Sequence, residues 1–140
     1  MCVFCDIVSG DTQAELVHED EGCLAFLDHR PLFPGHTLVV PRVHYETLTD
    51  LPPAEVGPLF AAVQLLAGVV RDAMEADGSF IALNNKISQS VPHVHVHVVP
   101  RRKKDGLRGF FWPRHKYRSA QEMGAVAARI RALAEERQTR

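Results

Sequence analysis

Two hydrophobic periods alternate along the chain. Residues 14–18, 22–28 and 36–41 are short apolar or β-branched runs, broken by Asp20-Glu21-Gly22 and then by Pro31, Pro34 and Gly35. They predict strands of an antiparallel sheet. Residues 53–76 follow a different rule. Val56, Leu59, Phe60, Val63, Leu66, Ala67, Val70 and Met74 recur at steps of three and four, the stripe of a helix that buries one face. Pro52 and Pro53 suit its first turn, and Asp77-Gly78 its end. Phe80–Leu83 is a further strand-like run, and residues 92–100 alternate strictly between two prolines that fit as strand limits. A last helix is expected from Ser119, with Glu122 completing a capping box and Met123, Val126, Ala127, Ile130, Leu133 and Ala134 forming its stripe. The pattern predicts an α+β domain: an antiparallel β-sheet of about five strands with one long helix and a C-terminal helix.

Composition narrows the function. The 140 residues are 46% apolar with a net charge of −1, which argues against a globally basic nucleic-acid binder. No uninterrupted apolar run approaches the roughly 20 residues of a membrane span. The opening MCVFCDIVSGD lacks the basic-then-apolar layout of a secretory signal, so the expected location is the cytoplasm. Three cysteines are too few for a disulfide framework. One asymmetry survives: Arg101 to Arg118 holds eight basic residues and one acid, +7 on a remainder of −8. Such a segment suggests a local anion site.

The most informative stretch is His93-Val94-His95-Val96-His97-Val98. On a strand the three histidines share one face, about 6.6–6.8 Å between successive positions, while the valines turn to the core. Two chemistries want such a row. Neutral imidazoles bind zinc; a neutral imidazole is also a nucleophile whose neighbours can stabilise phosphate. Ser88-Gln89-Ser90 supplies hydroxyl and amide donors suited to phosphate oxygens, and Asn84 and Asn85 should lie near the same edge.

The row resembles the His-φ-His-φ-His-φ-φ signature of the histidine triad (HIT) family of nucleotide hydrolases and transferases. Cys2-Val-Phe-Cys5-Asp-Ile, Cys23-Leu-Ala-Phe-Leu-Asp28 and Pro34-Gly-His36-Thr-Leu-Val-Val-Pro-Arg-Val-His44 resemble successive blocks of its Hint-like branch, in its bacterial, zinc-containing form. The likeness covers residues 2–101 in order and implies a single HIT domain over 1–140, with a basic aromatic segment and helix in 102–140. It implies that His95 attacks the α-phosphate of a purine nucleotide conjugate, giving a nucleotidyl-histidine that water hydrolyses to a nucleoside monophosphate. His97 would bond the phosphate and assist the leaving group, with His36 and Ser90 completing the catalytic set. Asn84 and Gln89 would lie on the phosphate path, Asp28 would accept from the ribose hydroxyls, and Phe4, Ile7 and Phe26 would line the base pocket.

Cys2 and Cys5 form a C-x-x-C, a spacing that suggests half of a zinc site more than a disulfide, with two reduced, unligated cysteines as the alternative. The resemblance supplies His44 and His93 as the other ligands of a structural Cys₂His₂ centre, with no metal required for catalysis. Cys23 is expected in the core. Two departures concern the pocket mouth: the segment from Asn84 to His93 is shorter than in eukaryotic relatives, and His29 stands where an apolar residue is usual. The resemblance also implies a homodimer, in which Trp112, among Phe110, Phe111 and Tyr117, could reach the partner's site. A phosphoramidate-type conjugate is the leading substrate. Dinucleoside polyphosphates, a nucleotide- or RNA-binding module without turnover, and a hydrolase with catalytic zinc on the triad are the alternatives.

Overall fold

A computed structural model describes residues 1–107 and 114–138. It divides into a unit of residues 1–105 and a unit of residues 106–140. In the first, α1 (Val3–Ser9) is followed by β1 (Leu16–Glu19), β2 (Cys23–Leu27), β3 (Thr37–Pro41) and a short 3-10 turn (Leu48–Asp50). Then come α2 (Pro53–Ala73), β4 (Gly78–Leu83) and β5 (Val96–Arg101). The second unit contributes α3 (Ala120–Gln138). The five strands form one antiparallel sheet in the order β1-β2-β3-β5-β4.

Both faces of this sheet are covered, which is why β2 and β3 read as continuous apolar runs. On one face Cys23, Ala25, Val39, Val94, Val96 and Val98 pack against Leu59, Ala62, Val63, Leu66 and Val70 of α2. On the other, Leu24, Phe26, Leu38 and Val40 pack against Phe4, Ile7 and Val8 of α1. Val94, Val96 and Val98 are fully buried or nearly so. Each contributes roughly 1.5–3 kcal/mol, enough together to dictate which way the intervening histidines face.

Four boundaries differ from the sequence expectation. No helix was expected at residues 3–9, because seven residues are too few to display a period. Its ends are nonetheless well defined: Cys2 caps it by accepting from the Cys5 N–H, and Gly10 closes it in the left-handed conformation. The final strand begins at Val96, so His93 and His95 precede the regular ladder. Pro100 lies inside that strand instead of limiting it. The β3 pairing ends at Thr37–Val98, and the Asp77 N–H donates to the Arg101 carbonyl on the β4 side, so the Pro100 nitrogen faces where no ladder donor is needed. Lastly, α2 stops at Ala73, three residues short of the expected end.

The α2 helix does have the length and apolar content of a membrane span, although no uninterrupted run in the sequence suggested one. Its inner stripe is spent on the sheet. Its outer side leaves Leu65 and Val69 exposed, and also Phe60, which the sequence stripe predicts to be buried. Just beyond it, Gly35 adopts φ +96, and a Cβ there would sit 2.6 Å from Met74 Cγ, so only glycine fits. This glycine turns the chain into β3 and delivers His36. In the second unit the Ser119 hydroxyl accepts from the Glu122 N–H as expected, while the Glu122 carboxylate reaches back to the Arg118 N–H. The α3 stripe is exposed at Met123, Ile130 and Leu133.

Candidate active site and metal centre

Between α1, the loop that follows it and the sheet lies a cavity of about 960 Å³. Of the residues singled out in the sequence, Phe4, Ile7, Phe26, Asp28, His29, Ser90, His95 and His97 line it. His36 lies beneath, buried against His97. Asn84 and Gln89 are turned to other work. The Asn84 amide donates to the Ser88 carbonyl, while Gln89 accepts from the Lys86 N–H and donates to the Glu46 carbonyl, bracing the loop before Ser90. Trp112 lies outside the described residues. Thr12, Gln13 and Glu15 also line the cavity, a contribution that sequence reasoning missed. Their only signal was their place directly after the C-x-x-C block.

Backbone groups fix the state of each imidazole. The His95 Nδ1–H donates to the His93 carbonyl at 2.8 Å, so the lone pair of neutral His95 is on Nε2. The Leu32 N–H donates to His36 Nδ1 at 3.0 Å, leaving the His36 proton on Nε2. That Nε2–H donates to His97 Nδ1 at 2.9 Å, so His97 keeps its own proton on Nε2 as a free donor. The chain of bonds therefore sets one imidazole with a bare nitrogen beside another with an available proton, ring centroids 5.0 Å apart.

Burial keeps the whole group neutral. His97 is pushed down to about 4, by burial first and then by its neighbours His95 and His36, against the pull of Asp28. Burial likewise lowers His95, although its bond to the His93 carbonyl and the nearby Asp28 oppose this. His36 is lowered by burial too, with Asp28, 3.7 Å away, partly restoring it. At neutral pH the three are therefore uncharged, and the His95 Nε2 lone pair is available without loss of a proton. Asp28 is held by its own turn: its carboxylate accepts from the Arg30 N–H at 2.9 Å, and its N–H donates to the His36 carbonyl.

Asp28, His36 and His97 also offer three donor atoms close together. The 2.9 Å between the His36 and His97 nitrogens is a hydrogen-bond length, shorter than the edge of about 3.3 Å in a tetrahedral zinc shell. The trio reads as a hydrogen-bonded imidazole pair with a carboxylate beside it.

The second cluster is different. Ligand atoms of Cys2, Cys5, His44 and His93 lie within 4.8 Å of one another. His93 Nδ1 is 3.5 Å from Cys2 Sγ and 3.6 Å from Cys5 Sγ, and His44 Nδ1 is 3.3 Å from Cys5 Sγ. These match the roughly 3.5 Å edges expected of a Cys₂His₂ tetrahedron. The outer support is also present, since the His93 Nε2–H donates to the Pro41 carbonyl at 2.8 Å and leaves Nδ1 bare. The residues fit a zinc ion with a closed, structural shell.

The chain is similar to several known proteins. The HIT domain family model matches residues 9–104. A protein from Arabidopsis thaliana named adenylylsulfatase HINT3 is 36% identical over 108 residues, which span 76% of this chain and 55% of that protein. The protein Hit of Bacillus subtilis is 40% identical over 81% of this chain and 80% of its own length. A Schizosaccharomyces pombe protein named asymmetrical bis(5'-nucleosyl)-tetraphosphatase is 40% identical over 58% of this chain and 46% of its own. Among solved structures, a HIT family member from Bacillus subtilis superposes with a TM-score of 0.86 at 36% identity, covering 94% of this chain and 95% of that one. A zinc-bound histidine triad protein from Mycobacterium smegmatis gives 0.73 at 41% identity, covering 99% and 97%.

Proposed function

This chain belongs to the HIT domain family, and on that premise we propose that it is a nucleotide hydrolase or nucleotidyl transferase working through a covalent His95 intermediate. His95 Nε2 attacks the α-phosphorus, forming an N–P bond as the bond to the leaving group breaks. The Nε2–H of His97 hydrogen-bonds the phosphate beside the leaving group, which departs with a proton taken up from solvent. Water then attacks phosphorus and sheds a proton to solvent, the N–P bond breaks, and a nucleoside monophosphate departs with neutral His95 restored. Ser90 bonds the phosphate oxygens, Asp28 accepts from the ribose hydroxyls, and Phe4, Ile7 and Phe26 hold the base. The observation that carries this reading is the His95 Nδ1–H bond to the His93 carbonyl, which leaves the outward nitrogen as the nucleophile.

For the substrate we favour a purine nucleoside phosphoramidate over a dinucleoside polyphosphate. Among the described residues lining the cavity there is no Lys or Arg, while Asp28 and Glu15 are acidic. A chain of extra phosphates would find no counter-charge there; a leaving amine carries positive charge and suits the wall. The Cys2, Cys5, His44 and His93 centre is assigned a structural zinc, and its thiols suit a reducing compartment such as the cytoplasm. A homodimer is supported by the exposed apolar side of α2.

The test is to quench the chain during turnover of adenosine 5'-phosphoramidate and weigh it. One adenylyl group on His95 is expected. AMP release with no adduct under single-turnover conditions would overturn the mechanism, and faster turnover of a dinucleoside polyphosphate would overturn the substrate assignment.

A further inference from the structure

Helix α1 serves two sites with seven residues. Its cap Cys2 and its Cys5 belong to the metal cluster, and Val3, Phe4 and Ile7 form a wall of the nucleotide cavity. Phe4 stands between the two. It is buried, with its ring edge-on to His93 at 5.9 Å, to His95 at 5.0 Å and to Phe26 at 5.3 Å. An isolated helix needs roughly 12–15 residues to persist in water, so the seat of α1 is set by what fastens it. Half of that fastening is apolar, through Phe4, Ile7 and Val8. The other half is the Cys/His cluster, which ties residues 2 and 5 to His44 and to His93, next to the sheet.

A second link runs through His93 itself. Its Nδ1 faces both thiols, its Nε2–H is held by the Pro41 carbonyl, and its own carbonyl accepts the His95 Nδ1–H. Ring and carbonyl belong to one residue outside the regular ladder of β5, whose backbone is held by the His93 N–H to the Val91 carbonyl and the Val94 N–H to the Tyr45 carbonyl, so the ring's anchors add to those of the carbonyl. Neither link is needed to anchor a terminus; both end on the same imidazole.

We propose that the Cys2, Cys5, His44 and His93 centre, when it holds a divalent cation, positions the nucleophile: it seats α1 so that Phe4 bears on the His95 ring, and steadies His93 so that its carbonyl aims His95 Nε2 at phosphorus. Phe4 is thus a positioning residue as well as a wall of the base pocket. The inference rests on the proposed function for the role of His95. It makes nucleotide affinity and the rate of attack depend on a cation that touches neither nucleotide nor phosphate.

The test compares the full chain loaded with Zn²⁺ and stripped by chelation, both checked for folding by circular dichroism. Three readouts are needed: AMP affinity, the single-turnover rate, and the ¹⁵N imidazole spectrum without substrate. Stripping should weaken AMP binding about tenfold, slow attack more than tenfold, and replace the single His95 Nδ1–H tautomer by a mixture; restoring Zn²⁺ should reverse all three. His44→Ala should reproduce the stripped state. Phe4→Ala should slow attack with zinc still bound one to one, and Phe4→Tyr should recover most of the rate. Should the stripped chain unfold, the zinc-loaded Phe4 variants decide the matter, because only a positioning role separates rate from metal content. Unchanged affinity, rate and tautomer on stripping, or a full rate in Phe4→Ala, would overturn the inference. A wild-type chain that turns nothing over would sink the proposed function instead, while the tautomer would still judge the coupling.

Discussion

His93 and His95 are two residues apart, both buried, and both give a ring proton to a backbone carbonyl. They do so from opposite nitrogens. His93 donates from Nε2 to Pro41 and keeps Nδ1 bare toward two thiols, whereas His95 donates from Nδ1 to His93 and keeps Nε2 bare toward the cavity. On the proposed function, one repeat of a two-residue pattern thus serves a metal ligand and then a nucleophile. Residue type and spacing are identical; only the position of the accepting carbonyl differs. The lesson is that a histidine's role is settled by which of its nitrogens the backbone occupies.

The comparison breaks most visibly at the phosphate end. His95→Ala should lower turnover by about 10⁴-fold or more, as loss of a nucleophile does, while AMP still binds; steady-state assay and calorimetry together check this. At the metal end the loss should appear in stability. Cys5→Ser removes one of four donors and should lower the melting temperature by several degrees, as loss of a cation that binds only the folded state does; a thermal melt with and without Zn²⁺ measures it, and a melt insensitive to both would erase the distinction between the two ends. Asp28→Asn tests the cavity wall, which His95 and His97 also line. Losing a charged acceptor for the ribose should raise KM roughly 10-fold with a smaller change in kcat.

The smallest expected effect is with pH. His97, pushed down to about 4 in the folded chain from an ordinary 6.5, is a base that the folded state holds less tightly than the unfolded one. The stability tied to its neutral form is therefore complete above 6.5 and is lost as the pH falls through 4. In the kinetics an acid limb is expected from His95, because its Nε2 lone pair must be unprotonated to attack and burial holds it below the ordinary 6.5: the rate should be level at neutral pH and fall only in the acid. A His97→Gln variant should keep that limb, and its loss there would assign the limb to His97.

Much of this was legible in the sequence, for identifiable reasons. The alternation of Val94, Val96 and Val98 is a burial signal strong enough to place the histidines opposite, and the two-sided cover of the sheet is visible in Cys23–Leu27. What the sequence could not display were backbone partners. The carbonyls of His93 and Pro41 and the N–H of Leu32 decide three tautomers, and every residue has such groups. Nor could seven residues announce α1 by period, although the cavity wall and half the metal ligands depend on it. Asn84 and Gln89 illustrate the converse: their side chains suit phosphate oxygens, yet in the fold nearer backbone groups engage them.

The burial of Cys23 within β2 has a practical corollary. With its thiol pushed up to about 11 by its apolar surroundings, that sulfur stays protonated and unreactive in the native chain. A thiol-labelling reagent applied without denaturant therefore counts Cys2 and Cys5 alone. On the proposed assignment of zinc to the cluster, the number of sulfurs modified, two or none, becomes a direct titration of how many molecules in a preparation carry the ion.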